Sequence, residues 1–181
     1  QPGAAAAAGE GADVELLIEA LQDLAAQEFV PAEDARNALD DLLKSETPAL
    51  AASALSLAAR SWNADELESN LSPSVSRIVE TLDRADPHHQ AILRSLAQLP
   101  VIPESARGVL AANISEPVVF DTLCDNPAPD AARLLVRRMD SFATREKALA
   151  LESLLSRRSS AIVLLEALNA EELPISVVGQ S

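Results

Sequence analysis

Hydrophobic residues recur along this chain every three to four positions. Leu17, Leu21 and Leu24 stand at i, i+4 and i+7; Leu39, Leu42 and Leu43 follow, and Ile92, Leu93, Leu96 and Leu99 repeat the pattern. This is the spacing of one face of an α-helix. No stretch of four or more residues alternates in strand fashion with β-branched enrichment, so the pattern predicts an all-α chain. Helices are expected near 14–27, 32–44, 49–60, 64–70, 74–85, 88–98, 104–113, 117–125, 130–139, 144–156 and 159–169. Residues 1–12 combine a short alanine run with Gly3, Gly9 and Gly11 and read as a flexible linker or tail.

Eleven prolines punctuate the helical pattern. Thr47-Pro48, Asp86-Pro87 and Asn126-Pro127 each place a capping side chain directly before a proline. Such a cap accepts a bond from an orphan backbone N–H, and proline at the first helical position gives up no hydrogen bond. Ser72-Pro73 is a fourth case, and Asn63 with Glu66 resembles a capping box. Pro48, Pro87 and Pro127 lie 39 and 40 residues apart. In phase with them runs a second mark: two apolar residues, an acid, any residue, then a leucine. The closing residues Leu42, Leu82, Leu123 and Leu168 are spaced by 40, 41 and 45 residues, and each is followed by a proline four to six positions later.

A helical repeat of about 40 residues predicts a right-handed α-solenoid of the HEAT or armadillo-like kind, in which each unit borrows its core from its neighbours. Residues 13–181 are expected to form that repeat domain, with the last repeat truncated. Leu42, Leu82, Leu123 and Leu168 are the expected repeat core, and the three cap–proline pairs the repeat boundaries. Leu173, Ile175, Val177 and Val178 follow the last in-phase leucine with no helix to bury them and are expected to be mobile or packed opportunistically.

Charge narrows the function. Twenty-eight acidic against 14 basic residues leave a net charge of −14 over 181 residues, which repels phosphate backbones and anionic membrane surfaces. The pairs Arg137-Arg138 and Arg157-Arg158 read as solvated faces. No apolar run reaches the ~18 residues of a membrane-spanning helix. Gln1-Pro2-Gly3-Ala4 offers neither initiator Met nor basic region, so the chain reads as beginning inside a larger or processed protein.

Candidate chemistry is sparse. One cysteine, Cys124, excludes an intrachain disulfide and a CxxCH haem attachment, and reads as a buried inert thiol. His88 and His89 are adjacent, so on a helix they point about 100° apart and do not converge on one metal. Asp40-Asp41 and Glu171-Glu172 stand side by side rather than across a cleft. No Gly-rich phosphate loop or nucleophile motif is present. No catalytic, cofactor-binding or metal-ligating residue is therefore assigned, and the expected partner is protein. A stand-alone adaptor gripping a peptide or protein on its concave face is the alternative. A helical-repeat enzyme is a third reading, opposed by the net charge and the lack of convergent acid–base residues.

Toward the C-terminal end, Ser153-Leu154-Leu155-Ser156-Arg157-Arg158, the run 161–168 and Asn169-Ala170-Glu171-Glu172-Leu173-Pro174 form a continuous pattern. It resembles a stretch of large bacterial multidomain proteins in which a sugar-dehydrogenase-like β-propeller precedes a HEAT-like helical region and a C-terminal haem c domain. Arg158 stands where that pattern usually has proline. The resemblance implies a non-catalytic segment that spaces or docks the domains of an exported, periplasmic redox protein. The catalytic and haem-ligating residues of such a parent, haem c included, would lie outside this chain.

Overall fold

A computed structural model describes residues 3–27, 35–61 and 64–174. Among the described residues it contains ten α-helices and no strand. The chain divides into two compact units, residues 1–95 and 96–181, and the division falls in the last turn of α5.

The first unit holds α1 (Gly3–Ala26), α2 (Arg36–Leu43), α3 (Pro48–Ser61), α4 (Ala64–Thr81) and most of α5 (His89–Ala97). Its centre is α3, against which α1, α2 and α4 all pack. Between Ala49 and Ala58 only Ser56 escapes full burial, so this helix is covered on nearly every side. Its alanines let neighbouring backbones approach closely, and Leu50, Leu55 and Leu57 supply the bulk. Ile18 and Leu21 of α1 and Leu39 and Leu43 of α2 complete this core. Ser53 is buried without an orphaned hydroxyl, because its Oγ donates to the Ala49 carbonyl at 2.9 Å. Arg77 on α4 donates to the Leu43 carbonyl at the end of α2.

Two elements differ from the pattern-based expectation. The helix α1 starts at Gly3, ahead of the expected tail boundary, and takes in the five alanines, the best helix formers. The expected break at Ser72-Pro73 is absent, and α4 runs through Pro73 without interruption. Leu71, Val75 and Ile78, at i, i+4 and i+7 around the proline, are all buried. Each contributes roughly 1.5–3 kcal/mol, against about 3 kcal/mol for an interior proline. Burial wins, and the proline is carried on the exposed face. The capping box expected at Asn63 lies outside the described residues.

The second unit holds α6 (Glu104–Ala112), α7 (Pro117–Asp125), α8 (Pro129–Arg138), a 3-10 turn at Met139–Ser141, α9 (Thr144–Ser156) and α10 (Arg158–Asn169). Here α8 packs against α6, α7 and α10, while α9 packs against α7 and α10. Leu110, Leu123, Leu135, Met139, Leu154 and Leu164 are among its buried core. Phe120 and Phe142 meet edge to face, with ring centroids 5.1 Å apart and planes at 82°. Glu146 reaches back to the Ala143 N–H at 2.9 Å and closes the start of α9.

The end of α10 is a Schellman turn. Glu172 N–H bonds the Ala167 carbonyl at 3.0 Å and Glu171 N–H bonds that of Leu168 at 3.2 Å. Glu171 occupies the left-handed position usually given to glycine, with φ of 57°. This turn folds Leu173 back into the core at 3% exposure, contrary to the expectation that it would lack a burial partner. Ile175, Val177 and Val178 lie outside the described residues.

Helix starts recur at a fixed interval. From His89 to Pro129 is 40 residues, from Glu104 to Thr144 is 40, and from Pro117 to Arg158 is 41. Upstream, Pro48 precedes His89 by 41 and Ala64 precedes Glu104 by 40. The uninterrupted α4 therefore covers the span that two separate helices, α6 and α7, occupy one interval later.

Candidate functional site

The three expected boundary turns contain a shared hydrogen bond, displaced from the expected cap positions. Ser45 Oγ accepts the Thr47 N–H at 3.1 Å, Asp86 Oδ1 accepts the His88 N–H at 2.8 Å, and Asn126 Oδ1 accepts the Ala128 N–H at 2.9 Å. In each case the acceptor stands three residues before the first helical residue: Pro48, His89 or Pro129. Thr47 is the N-cap of α3 with Pro48 at the first helical position, as expected. Asp86-Pro87 and Asn126-Pro127 lie two residues too early for that role; His88 and Ala128 are the N-caps, and Pro129, not Pro127, opens α8. The acceptors Ser45, Asp86 and Asn126 are 41 and 40 residues apart. A polar residue three places ahead of each helix was the signal for Ser45, hidden by the more obvious Thr47-Pro48 pair.

Of the three turns, that of Asn126 is the most elaborate. Its Nδ2 donates to the carbonyls of Ala97 and Leu99, at 2.7 and 2.9 Å, and the residue is buried. A second polar cluster lies beside it. Asp130 Oδ2 accepts the Ile102 N–H at 3.3 Å, and its Oδ1 pairs with Arg107 at 3.3 Å and Arg133 at 3.1 Å. A third closes the end of α7, where Arg157 Nη1 donates to the Cys124 carbonyl at 2.8 Å and the Ser153 hydroxyl donates to the same oxygen. Arg157 is thus half-buried and structural, not the solvated residue its arginine pair suggests.

The expected core leucines divide. Leu123 is 1% exposed, whereas Leu42, Leu82 and Leu168 are half-buried. In α2 the fully buried positions are Leu39 and Leu43, and in α10 they are Ser160, Val163, Leu164 and Ala167. Leu82 stands just beyond the end of α4.

The titratable residues singled out in the sequence serve separate local contacts. His88 Nε2 meets Glu15 Oε1 at 3.1 Å, and His89 is buried with Nδ1 3.0 Å from the Asp83 carbonyl. A carbonyl only accepts, so Nδ1 of His89 carries the proton. The expected solvated pair is therefore one partly covered and one buried histidine. Burial pushes the Cys124 thiol up to about 11; Asp121 and Asp125 add to the shift, while Arg157 and Ser153 oppose it. The thiol is half-buried and protonated at neutral pH. Among the described residues no group of three or more His, Cys, Asp or Glu could hold a metal, and no helix is long and apolar enough to cross a membrane.

One concave feature gathers charge. A solvent-open cleft of about 220 Å³ lies between α8 and α10. Its base includes Val136, Val163 and Ala167, each buried. Its rim carries Arg133 and Arg137 from α8, and Glu166 of α10 and Glu172 of the turn beyond it, all exposed. Pairing of Arg133 Nη1 with Asp130 anchors one guanidinium at this rim. The i, i+4 spacing of Arg133 and Arg137 was the only trace of this site in the sequence.

Comparison with protein-family models, curated proteins and solved structures finds no match to this chain.

Proposed function

We propose that this chain is a non-catalytic helical-repeat scaffold, a HEAT- or armadillo-like solenoid that spaces or docks domains and mediates protein–protein contacts. The observation that carries the reading is the recurrence of one junction, a side-chain acceptor three residues ahead of a helix, at Ser45, Asp86 and Asn126. Two further features support it. Helix starts recur every 40–41 residues. The principal helix–helix contacts within each unit join helices one or two apart in the chain, as in quasi-one-dimensional arrays. The resemblance over residues 153–174 makes the parent an exported redox protein, with a propeller dehydrogenase and a haem c domain as the partners to be spaced.

A length-matched deletion tests the architecture. Removing 86–125 joins Ala85 to Asn126, so one junction acceptor replaces another and the array shortens by one interval. That variant should stay helical and melt cooperatively, whereas removal of 86–105 alone should abolish the cooperative transition. Equal outcomes for the two would remove the repeat reading. Docking is tested by pull-down against isolated propeller and haem c domains at low and high salt. Capture weakened by salt is expected, because the net charge of −14 steers basic surfaces. No capture of either domain at low salt would overturn the docking role.

A further inference from the structure

We propose that the side of α9 and α10 turned away from α7 and α8 is a self-association surface, covered by a second copy of this chain across a two-fold axis. The inference goes beyond the scaffold reading and concerns the second unit alone. Ser153 on α9 faces α7, because its hydroxyl donates to the Cys124 carbonyl, and Val163 on α10 faces the cleft with α8. Leu155 and Leu165 each stand two residues further on, about 200° round the helix, and so point to the opposite side. They are 59% and 63% exposed, and Ile162, one turn before Leu165, is 45% exposed. Because α9 and α10 pack against each other, the two helices present these side chains on one side of the pair.

The recurring interval indicates what such a surface fits. The starts of α7 and α10 are 41 residues apart, which puts Leu165 at the position of Cys124. Cys124 is half-buried, with Ser153 and Arg157 of the following interval tied to its carbonyl, whereas Leu165 is left open. The equivalent face one interval earlier is thus covered by α-helix. Charge then selects a second copy. The first unit carries −11 and repels its like, while the second carries −3, so two copies approach with least opposition through α9 and α10. Glu152 stands one turn before Leu155, and Arg158 one turn before Ile162. Both are exposed and, among the described residues, neither is in an ion pair. A two-fold axis through the apolar row sets Glu152 of each copy against the partner's Arg158, so the surface is its own complement. The patch is small and its charges are open to water, so the dimer should be weak, with a Kd of about 10–100 μM.

Sedimentation equilibrium of the full chain, from about 5 to about 500 μM, tests this directly. A monomer–dimer equilibrium is expected. Leu165→Glu, at an exposed position, should weaken the dimer at least about tenfold and leave the melting temperature of dilute protein unchanged. Glu152→Arg and Arg158→Glu each set like charges opposite one another and should weaken it at least about fivefold. The double variant exchanges the two charges and should regain the original Kd to within about twofold. That rescue separates a two-fold pairing of Glu152 with Arg158 from any other apolar contact. A chain that stays monomeric at about 500 μM overturns the proposal, whether another protein or nothing covers the face. So does a dimer indifferent to Leu165→Glu, or a double variant no tighter than the two single ones.

Discussion

Residues 1–95 carry 17 acidic and 6 basic side chains, and residues 96–181 carry 11 and 8, so the net charge of −14 divides into −11 and −3. The two units also differ in how their backbone ends are satisfied. In the first, α1, α3 and α4 are 24, 14 and 18 residues long beside the short α2 and α5, of 8 and 9, and a single alanine-rich helix, α3, provides the packing centre. In the second, α6 to α10 are 9, 9, 10, 13 and 12 residues long. Every helix leaves four N–H and four C=O groups without intrahelical partners, so short helices multiply the orphaned groups. The second unit answers with side chains reaching across elements: Asn126 to Ala97 and Leu99, Asp130 to Ile102, and Arg157 and Ser153 to Cys124. Two of these groups are charged, Asp130 and Arg157, and across the whole unit 8 basic residues offset most of the 11 acidic ones. The first unit meets the same need at its shortest helix, where Arg77 of α4 donates to the Leu43 carbonyl at the end of α2, so short helices call for polar ties wherever they stand.

The largest expected effect breaks the apolar half of this comparison. Leu55→Ala at the centre of α3 and Leu123→Ala in α7 should each cost about 2–5 kcal/mol, since both side chains are fully buried. Leu82→Ala, half-buried beyond the end of α4, should cost less than either. Urea melts read these values, and equal losses at Leu82 and Leu123 would mean that burial does not rank the in-phase leucines.

Substitutions at the shared junction sharpen the polar half. Asn126→Ala removes three hydrogen bonds at a buried site and should cost about 2–4 kcal/mol. Asp86→Ala and Ser45→Ala each remove one such bond at a more exposed turn and should cost about 1 kcal/mol or less. If all three cost the same, the polar ties of the second unit are decoration on a common turn and not its response to short helices.

The smallest effect is a gain. Glu171→Gly relieves the left-handed residue at the end of α10 and should stabilise the second unit by about 0.5–1 kcal/mol. Hydrogen exchange resolves this by unit: protection should rise in α10 while the amides of α3 stay unchanged. A loss of protection in α10 would show that the Glu171 side chain, not its backbone, holds the turn.

The sequence by itself determined the helical class, most helix positions in the second unit and the interval of about 40 residues. Each of these is encoded within a few neighbouring positions: apolar residues at i, i+3 and i+4 define a helix face, and a short polar side chain ahead of a helix bonds a backbone N–H two residues away. Tertiary structure decided the rest. Pro73 signals a break locally, yet Leu71, Val75 and Ile78 keep α4 whole because other helices bury all three. Arg157 looks like a solvated arginine until α7 offers it a carbonyl, and His89 looks exposed until its neighbours cover it. The cleft needs α8 and α10 side by side, and only their packing sets two arginines opposite two glutamates. Hydrogen bonds within a turn are fixed by chain geometry over three or four residues, whereas burial and charge pairing depend on which distant segment arrives.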